Sequence, residues 1–318
     1  MLAHPSLTLL SGAFDRTDLF TVVYCLVDDW LKQRYGSANA PRRRGPAPAK
    51  FSDAELLTVL LVGEVCQVQH ERAWLRQVRA SYRGLFPHLP EDSRFSRRAV
   101  QARELLRGLR ETLLFWADAD LEPLRLLDSF PMPLCACYRI RQSSLPLTSA
   151  TFGFNASKRL YYYGLHPALL RTASGFVVDL ILAPANCNDT PLLAAYLDEC
   201  VEHGRDLRGQ VWVADKGFQN EKLIAWAKSR LGLTLMVRQK DRKGEPPSAW
   251  QLTIDALRKP IEGMISVLTE HFGLRHLLVK TEWGLYRRTQ AKATAVTLAC
   301  YFNRVLGREP TDLARYAV

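Results

Sequence analysis

Three acidic residues spread along the chain offer chemistry together that none of them offers alone. Asp128 ends the apolar run PLRLLDSFP, Asp215 ends the apolar half of VWVADKGF, and Glu262 lies in IEGMISVLTEHF. Both aspartates read as the C-terminal ends of strands. If those strands are neighbours, two carboxylates meet, and adjacent carboxylates resist joint ionisation. A divalent cation relieves the conflict. Mg2+, with Mn2+ as the alternative, prefers oxygen ligands and keeps water positions open for a substrate phosphate. Two such ions about 3.5 to 4 Å apart activate an attacking oxygen and stabilise a leaving one in phosphoryl transfer. Glu262 is the expected third ligand among the later acids, placed in the first turn or two of a helix that follows the last strand. Each acid also has an ordinary reading: Asp128 as a turn residue, Asp215 as the cap of the next helix, Glu262 as a solvated helix position. Behind Asp215, Gly217 lets the backbone turn closely past the site. Lys216 reads equally as a phosphate contact and as a surface lysine.

The elements that must position these residues follow from periodicity. The first third, residues 1–118, reads as an all-helical domain. TDLFTVVYCLVDDWLKQR and FSDAELLTVLLVGEV are both apolar helical runs, and Ser52 with Glu55 has capping-box spacing. A further helix is expected from about Pro90–Ser93 to Ala117, with Leu105, Leu109, Leu113 and Trp116 at helical intervals. Between the first two helices, residues 37–50 form a basic Pro- and Arg-rich segment, read as a linker or as an arm against DNA. Residues 119–306 read as an α/β domain. EPLRLLDSFP, KRLYYYGLHPALLR and GFVVDLILAP are strand-like, the last two suiting a hairpin around Thr172, Ser174 and Gly175. Then come a helix in TPLLAAYLDECVEH, a strand in QVWVAD, a helix in NEKLIAWAKSRLG and a strand in LTLMVR. That order predicts a mixed sheet flanked by helices. Ile261, Met264, Ile265, Leu268 and Phe272 mark one face of a later helix, and a last helix over roughly 289–306 is expected to close the core. Residues 307–318 read as a frayed tail.

Composition narrows the partners. The chain has 318 residues, 43 basic against 32 acidic, and a net charge of +11. That balance points to a polyanion, nucleic acid before membrane. The apolar stretch LFTVVYCLV is too short to span a bilayer and no basic leader precedes it, so a soluble cytoplasmic protein is expected. Seven cysteines without a repeated CxxC suggest neither a disulfide framework nor a zinc finger. Candidate DNA contacts are Arg42, Arg43 and Arg44; Arg94, Arg97 and Arg98; Arg238 and Lys240; and Trp283 with Arg287 and Arg288 in EWGLYRR. Basic residues mixed with aromatics suit a displaced base on the ring and phosphates on the guanidinium groups.

The blocks LLDSFPMPLC, YGLH, APANCNDTPLL, VWVADKGF and IEGMISVLTEHFGL followed by TEWGLYRR resemble the DDE transposases of bacterial insertion sequences, closest to the insertion sequence 982 family. The resemblance runs from about residue 50 to 305. It implies a ribonuclease H-like catalytic domain and a catalytic, metal-binding triad of Asp128, Asp215 and Glu262. Arg258 stands four residues before Glu262, as in a related transposase signature and as a DNA-contacting residue. Where that signature has a tyrosine and a lysine, this chain has Asp255 and Thr269. The implied activity is hydrolysis at the element's ends with two divalent cations, followed by attack of the freed 3′ hydroxyl on target DNA. The implied partners are terminal inverted repeats, target DNA and a second copy of the chain, with the helical first third recognising the repeats. Two other functions share these residues: a transposase-derived DNA-binding protein without chemistry, and a stand-alone nuclease of the same fold.

Overall fold

The computed structural model describes residues 4–41, 50–136, 140, 147–155, 159–239 and 246–316. It forms two compact units. One comprises residues 1–117 with 283–318, and the other residues 118–282.

Only helices occur among the described residues of the first unit. Asp15 opens α1 (Arg16–Tyr35) with a capping box, and Gly36 ends it in the left-handed region at φ 69°. Ser52 and Glu55 form the expected box on α2 (Asp53–Val65), a helix buried almost all round. An amphipathic helix, α3 (Glu71–Ser81), was not legible, since His70 before it makes no side-chain cap and its apolar stripe is only Trp74, Leu75 and Val78. The single helix expected up to Ala117 is two, α4 (Asp92–Gln101) and α5 (Arg103–Trp116). The backbone breaks at Ala102, where φ is −84° and ψ 6°, and the buried stripe of α5 becomes Leu106, Leu109, Leu113 and Leu114.

The last helix belongs here too, from its second residue on. Helix α9 (Glu282–Val305) starts earlier than periodicity suggested and is buried continuously from Thr289 to Asn303. Its polar residues are partnered within the unit. Arg110 Nη1 donates to Gln290 Oε1 at 2.5 Å, Lys292 Nζ to Glu64 Oε2 at 2.6 Å, and Thr294 Oγ1 to the Leu106 carbonyl at 2.9 Å. Among the described residues beyond it, where fraying was expected, the chain packs back: Tyr316 is fully buried and donates to Asn303 Oδ1 at 2.8 Å.

The second unit is built on two sheets. In chain order its elements are β1 (Leu124–Ser129), β2 (Met132–Ala136), β3 (Thr151–Asn155), β4 (Leu160–Leu165), β5 (Ala168–Thr172), β6 (Val177–Ile181), α6 (Asp189–Glu202), β7 (Val211–Ala214), α7 (Glu221–Leu231), β8 (Thr234–Val237) and α8 (Ala249–Ser266). The main sheet has the order β6-β5-β1-β7-β8, with β5 antiparallel to both β1 and β6, while β7 runs parallel to β1 and β8. The expected hairpin is β5–β6, turning through Gly175 at φ 110°. The run KRLYYYGLHPALLR splits between sheets, because Pro167 lacks an N–H and constrains the residue before it. Its first half, β4, pairs with β2 and β3 in a separate three-stranded sheet that the sequence did not announce.

Alternation along the strands sends side chains to two faces. Leu127, Leu170, Trp212 and Ala214 pack with Leu193, Tyr196, Leu197 and Leu231 of α6 and α7. Leu126, Val213 and the residues in phase with them face the other way, and α8 contacts β1, β7 and β5. Among the described residues no helix is long and apolar enough to cross a membrane.

Candidate active site

The parallel pairing of β1 with β7 ends at Leu127↔Ala214. The next residue on each strand is an aspartate, so Asp128 and Asp215 leave adjacent strand ends in the same phase. One guanidinium joins them. From α8, Arg258 Nη2 donates to Asp128 Oδ2 at 3.0 Å and Arg258 Nη1 donates to Asp215 Oδ1 at 2.9 Å. The arginine is buried, only 8% exposed, and a buried charge must be paired. Here it has two partners of opposite sign. Asp128 also accepts the Ser129 N–H at 2.9 Å. Burial nevertheless pushes its carboxyl up to about 6, against the pull of Arg258 and with help from the charge of Asp215. Desolvation therefore outweighs the ion pair at this residue.

The ordinary readings of the aspartates lose ground in this geometry. Asp215 does not cap α7, because Asn220 does, its side chain accepting from the Leu223 N–H at 3.0 Å. Asp215 precedes a short 3-10 turn, Lys216–Phe218, without a side-chain cap bond to it. Asp128 bonds its neighbour's N–H as a turn residue would, but its second oxygen goes to Arg258.

Glu262 is placed differently from expectation. Helix α8 begins at Ala249, fixed by a Ser248–Gln251 capping box, so Glu262 lies in its second half and not in its first turns. Pro260 sits inside the helix, and its carbonyl accepts from Arg171 Nη1 at 2.7 Å. Glu262 is exposed one turn beyond Arg258. Among the described residues no group of three or more His, Cys, Asp or Glu side chains is placed to hold a metal. The two positions that depart from the transposase signature have structural work instead. Asp255 accepts from Arg238 Nε at 2.8 Å, and buried Thr269 donates to the Ile265 carbonyl at 2.8 Å.

A second cluster, which the sequence reading did not single out, lies on the opposite face. Ser129 Oγ donates to Asp189 Oδ1 at 2.6 Å, and His166 Nε2 lies 3.1 Å from the same oxygen. Burial raises the Asp189 carboxyl, but the hydrogen bonds from His166 and Ser129 outweigh it and hold the group below the usual carboxylate range. Gly217 packs closely there: a Cβ on it would stand 1.9 Å from Asp189 Oδ2, which would have to move. The only signal in the sequence was the block APANCNDTPLL, whose aspartate reads as an ordinary first-turn acid.

The proposed DNA contacts divide by exposure. Arg94, Arg97, Lys216 and Trp283 are exposed. Arg98 pairs with Asp53 at 2.7 Å, Arg238 with Asp255, and Arg287 with Glu71 at 2.6 Å, where Arg288 is also near at 3.9 Å. Arg287 is only 3% exposed. Arg103 lies over the Trp283 ring, 4.2 Å from its centroid. Arg42, Arg43, Arg44 and Lys240 lie outside the described residues.

A family comparison covers this sheet. The family model described as Transposase DDE domain matches residues 120–298, more than half of the chain. The chain belongs to that family. The match spans all of the sheet elements and both aspartates of this transposase, together with Arg258 and Glu262. Comparison with curated proteins finds no match.

Proposed function

We propose that this transposase hydrolyses a phosphodiester at each end of an insertion sequence, of the insertion sequence 982 kind, and joins the freed 3′ hydroxyl to target DNA. The observation that carries the proposal is the Asp128–Arg258–Asp215 bridge at the ends of β1 and β7. Two carboxylates that meet one guanidinium group offer a cation a pair of oxygen ligands, and the carboxyl of Asp128, raised by burial, is the kind of perturbed acid that functional sites carry. The residues fit a divalent metal in that sense. Asp128 and Asp215 would hold it, and Glu262, on the helix that carries Arg258, is the third ligand in this reading. A divalent cation there would supply an activated water and charge neutralisation at the scissile phosphate.

The chain's own residues supply the rest. Arg258 offsets two carboxylates that otherwise repel. Lys216, exposed directly behind Asp215, contacts phosphate, and Gly217 keeps the turn close to the sheet. The order β6-β5-β1-β7-β8, an antiparallel hairpin beside three parallel strands, supports a ribonuclease H-like assignment for residues 119–282. The helices of the first unit are the part proposed to recognise terminal repeats, with exposed Arg94 and Arg97 of α4 on phosphates and Trp283 beneath a displaced base. Joining two element ends calls for a homodimer on DNA, acting on cytoplasmic, nucleoid-associated DNA.

The test is strand joining. A labelled duplex carrying the element end is incubated with supercoiled plasmid in Mg2+ or Mn2+. Covalent transfer of label to the plasmid, abolished by EDTA, is the expected result. Nicking without transfer would reduce the protein to a nuclease, and binding without either would remove the chemistry.

A further inference from the structure

Arg258 holds the two aspartates from one face of the main sheet, and a second set of contacts meets the same two strand ends from the other face. Ser129 and Asp128 are consecutive, so their side chains leave β1 on opposite faces. Ser129 Oγ bonds Asp189 Oδ1 at 2.6 Å at the start of α6. The turn behind Asp215 reaches the same helix start. Asp189 Oδ2 sits where a Cβ of residue 217 would stand, and Thr190 Oγ1 donates to the Gly217 carbonyl at 3.2 Å. His166, between β4 and β5, completes the cluster at 3.1 Å from Asp189 Oδ1.

We propose that Asp189 is a positioning residue for the acid pair: with Thr190 it ties the end of β1 to the turn after β7, and so fixes the separation of the Asp128 and Asp215 carboxylates. The inference rests on the reading of that pair as the metal site. Asp189 touches neither carboxylate. It acts through Ser129 on one strand and through close packing at Gly217 on the other. Pairing between β1 and β7 stops at Leu127↔Ala214. Asp128 stays in the ladder with β5, opposite Leu169, but no main-chain pairing links it to Asp215, and the ties from α6 and α8 supply that link. Such a tie matters because a cation bound by two carboxylates is sensitive to their spacing, and groups next to the ligands govern it.

Both donors, Ser129 and His166, meet the same oxygen. Asparagine at 189 keeps that acceptor, whereas alanine removes it. The experiment compares Asp189→Asn and Asp189→Ala in the full chain. Amide hydrogen exchange is followed in segments 124–131 and 211–218 without metal, and Mn2+ affinity, DNA affinity and nicking are then measured. Asp189→Ala is expected to speed exchange in both segments and to raise the Mn2+ concentration for half-maximal binding by about tenfold or more, the size of a lost charge-assisted hydrogen bond. Its DNA affinity should stay within about twofold of wild type, since an acidic side chain supplies no phosphate contact to lose. Asp189→Asn should keep exchange and Mn2+ affinity near wild type. If alanine folds poorly, Ser129→Ala removes one of the bonds and should shift the same readouts in the same direction.

Unchanged exchange in Asp189→Ala would overturn the proposal whether or not the protein binds metal. Asparagine as damaging as alanine would overturn it too, since charge and not position would then be what Asp189 supplies. A wild-type protein that neither binds Mn2+ nor nicks DNA would defeat the reading of the acid pair, while the exchange comparison would still decide whether Asp189 ties the two segments.

Discussion

Asp128 is the residue at which the proposed site costs the fold most. Its carboxyl is pushed from the ordinary 3.8 up to about 6 by burial. The sign follows from proton counting. Between pH 4 and 6 the native state binds a proton that the unfolded chain has released, so stability falls as pH rises through that window, and above it the full penalty is present. About two units correspond to roughly 3 kcal/mol. Asp128→Asn, which keeps the neutral form, should therefore match wild type near pH 4 and exceed it in urea denaturation at pH 8 with EDTA present, while losing all cleavage. Equal unfolding midpoints at pH 8 would show that Asp128 is not strained by burial. The two aspartates were legible because each closes an apolar run. Arg258 was legible only as a cation near an acid, because its partners lie 43 and 130 positions away and no local pattern encodes such pairing. Asp189 was hidden for a different reason: an acid in the first turn of a helix is ordinary, and only the approach of Gly217 marks this one.

At the scale of elements, α9 shows how an ion pair can be mistaken for a binding surface. The sequence EWGLYRR mixes aromatics with arginines, but Arg287 is buried against Glu71 of α3, and Lys292 against Glu64 of α2. Burial raises the Glu71 carboxyl, and the charges of Arg287 and Arg288 outweigh that and hold it below the usual range. Removing one partner of a buried pair leaves the other uncompensated, a loss of about 3 to 5 kcal/mol. Arg287→Ala should lower stability by that order and leave the salt dependence of DNA binding by the folded fraction unchanged. Exposed Arg97 gives the opposite pattern, with Arg97→Ala keeping the unfolding midpoint and flattening the slope of log affinity against log salt by about 0.9 if it neutralises one phosphate. Denaturation curves and DNA titrations over salt separate the two. Helix α8 was misread for a related reason. The apolar stripe first shows at Ile261, yet the true start is the Ser248–Gln251 box, so the helix begins twelve residues before that stripe.

The whole molecule was legible in its order and less so in its grouping. Helices first, then a mixed sheet with intervening helices, is the order observed. Alternation of strands and helices does not show where the chain returns, so α9 was expected in the sheet domain, whereas the compact unit of residues 1–117 takes it in together with the final residues. Its buried polar positions, Gln290, Lys292 and Thr294, find partners 180, 228 and 188 positions earlier, which is why composition alone marked the helix only as apolar. The second three-stranded sheet was hidden likewise, since Pro167 cuts one apolar run into strands of different sheets. The net charge of +11 gives the molecule its general attraction for DNA, which the acid pair does not require, so binding and chemistry should separate cleanly. The most direct measurement is metal-dependent nicking of a labelled element-end duplex by wild type and by Asp215→Asn, with DNA affinity measured on the same samples. Equal affinity is expected, with nicking in Mg2+ or Mn2+ by wild type alone; nicking by Asp215→Asn at the wild-type rate would show that the acid pair does not carry the chemistry.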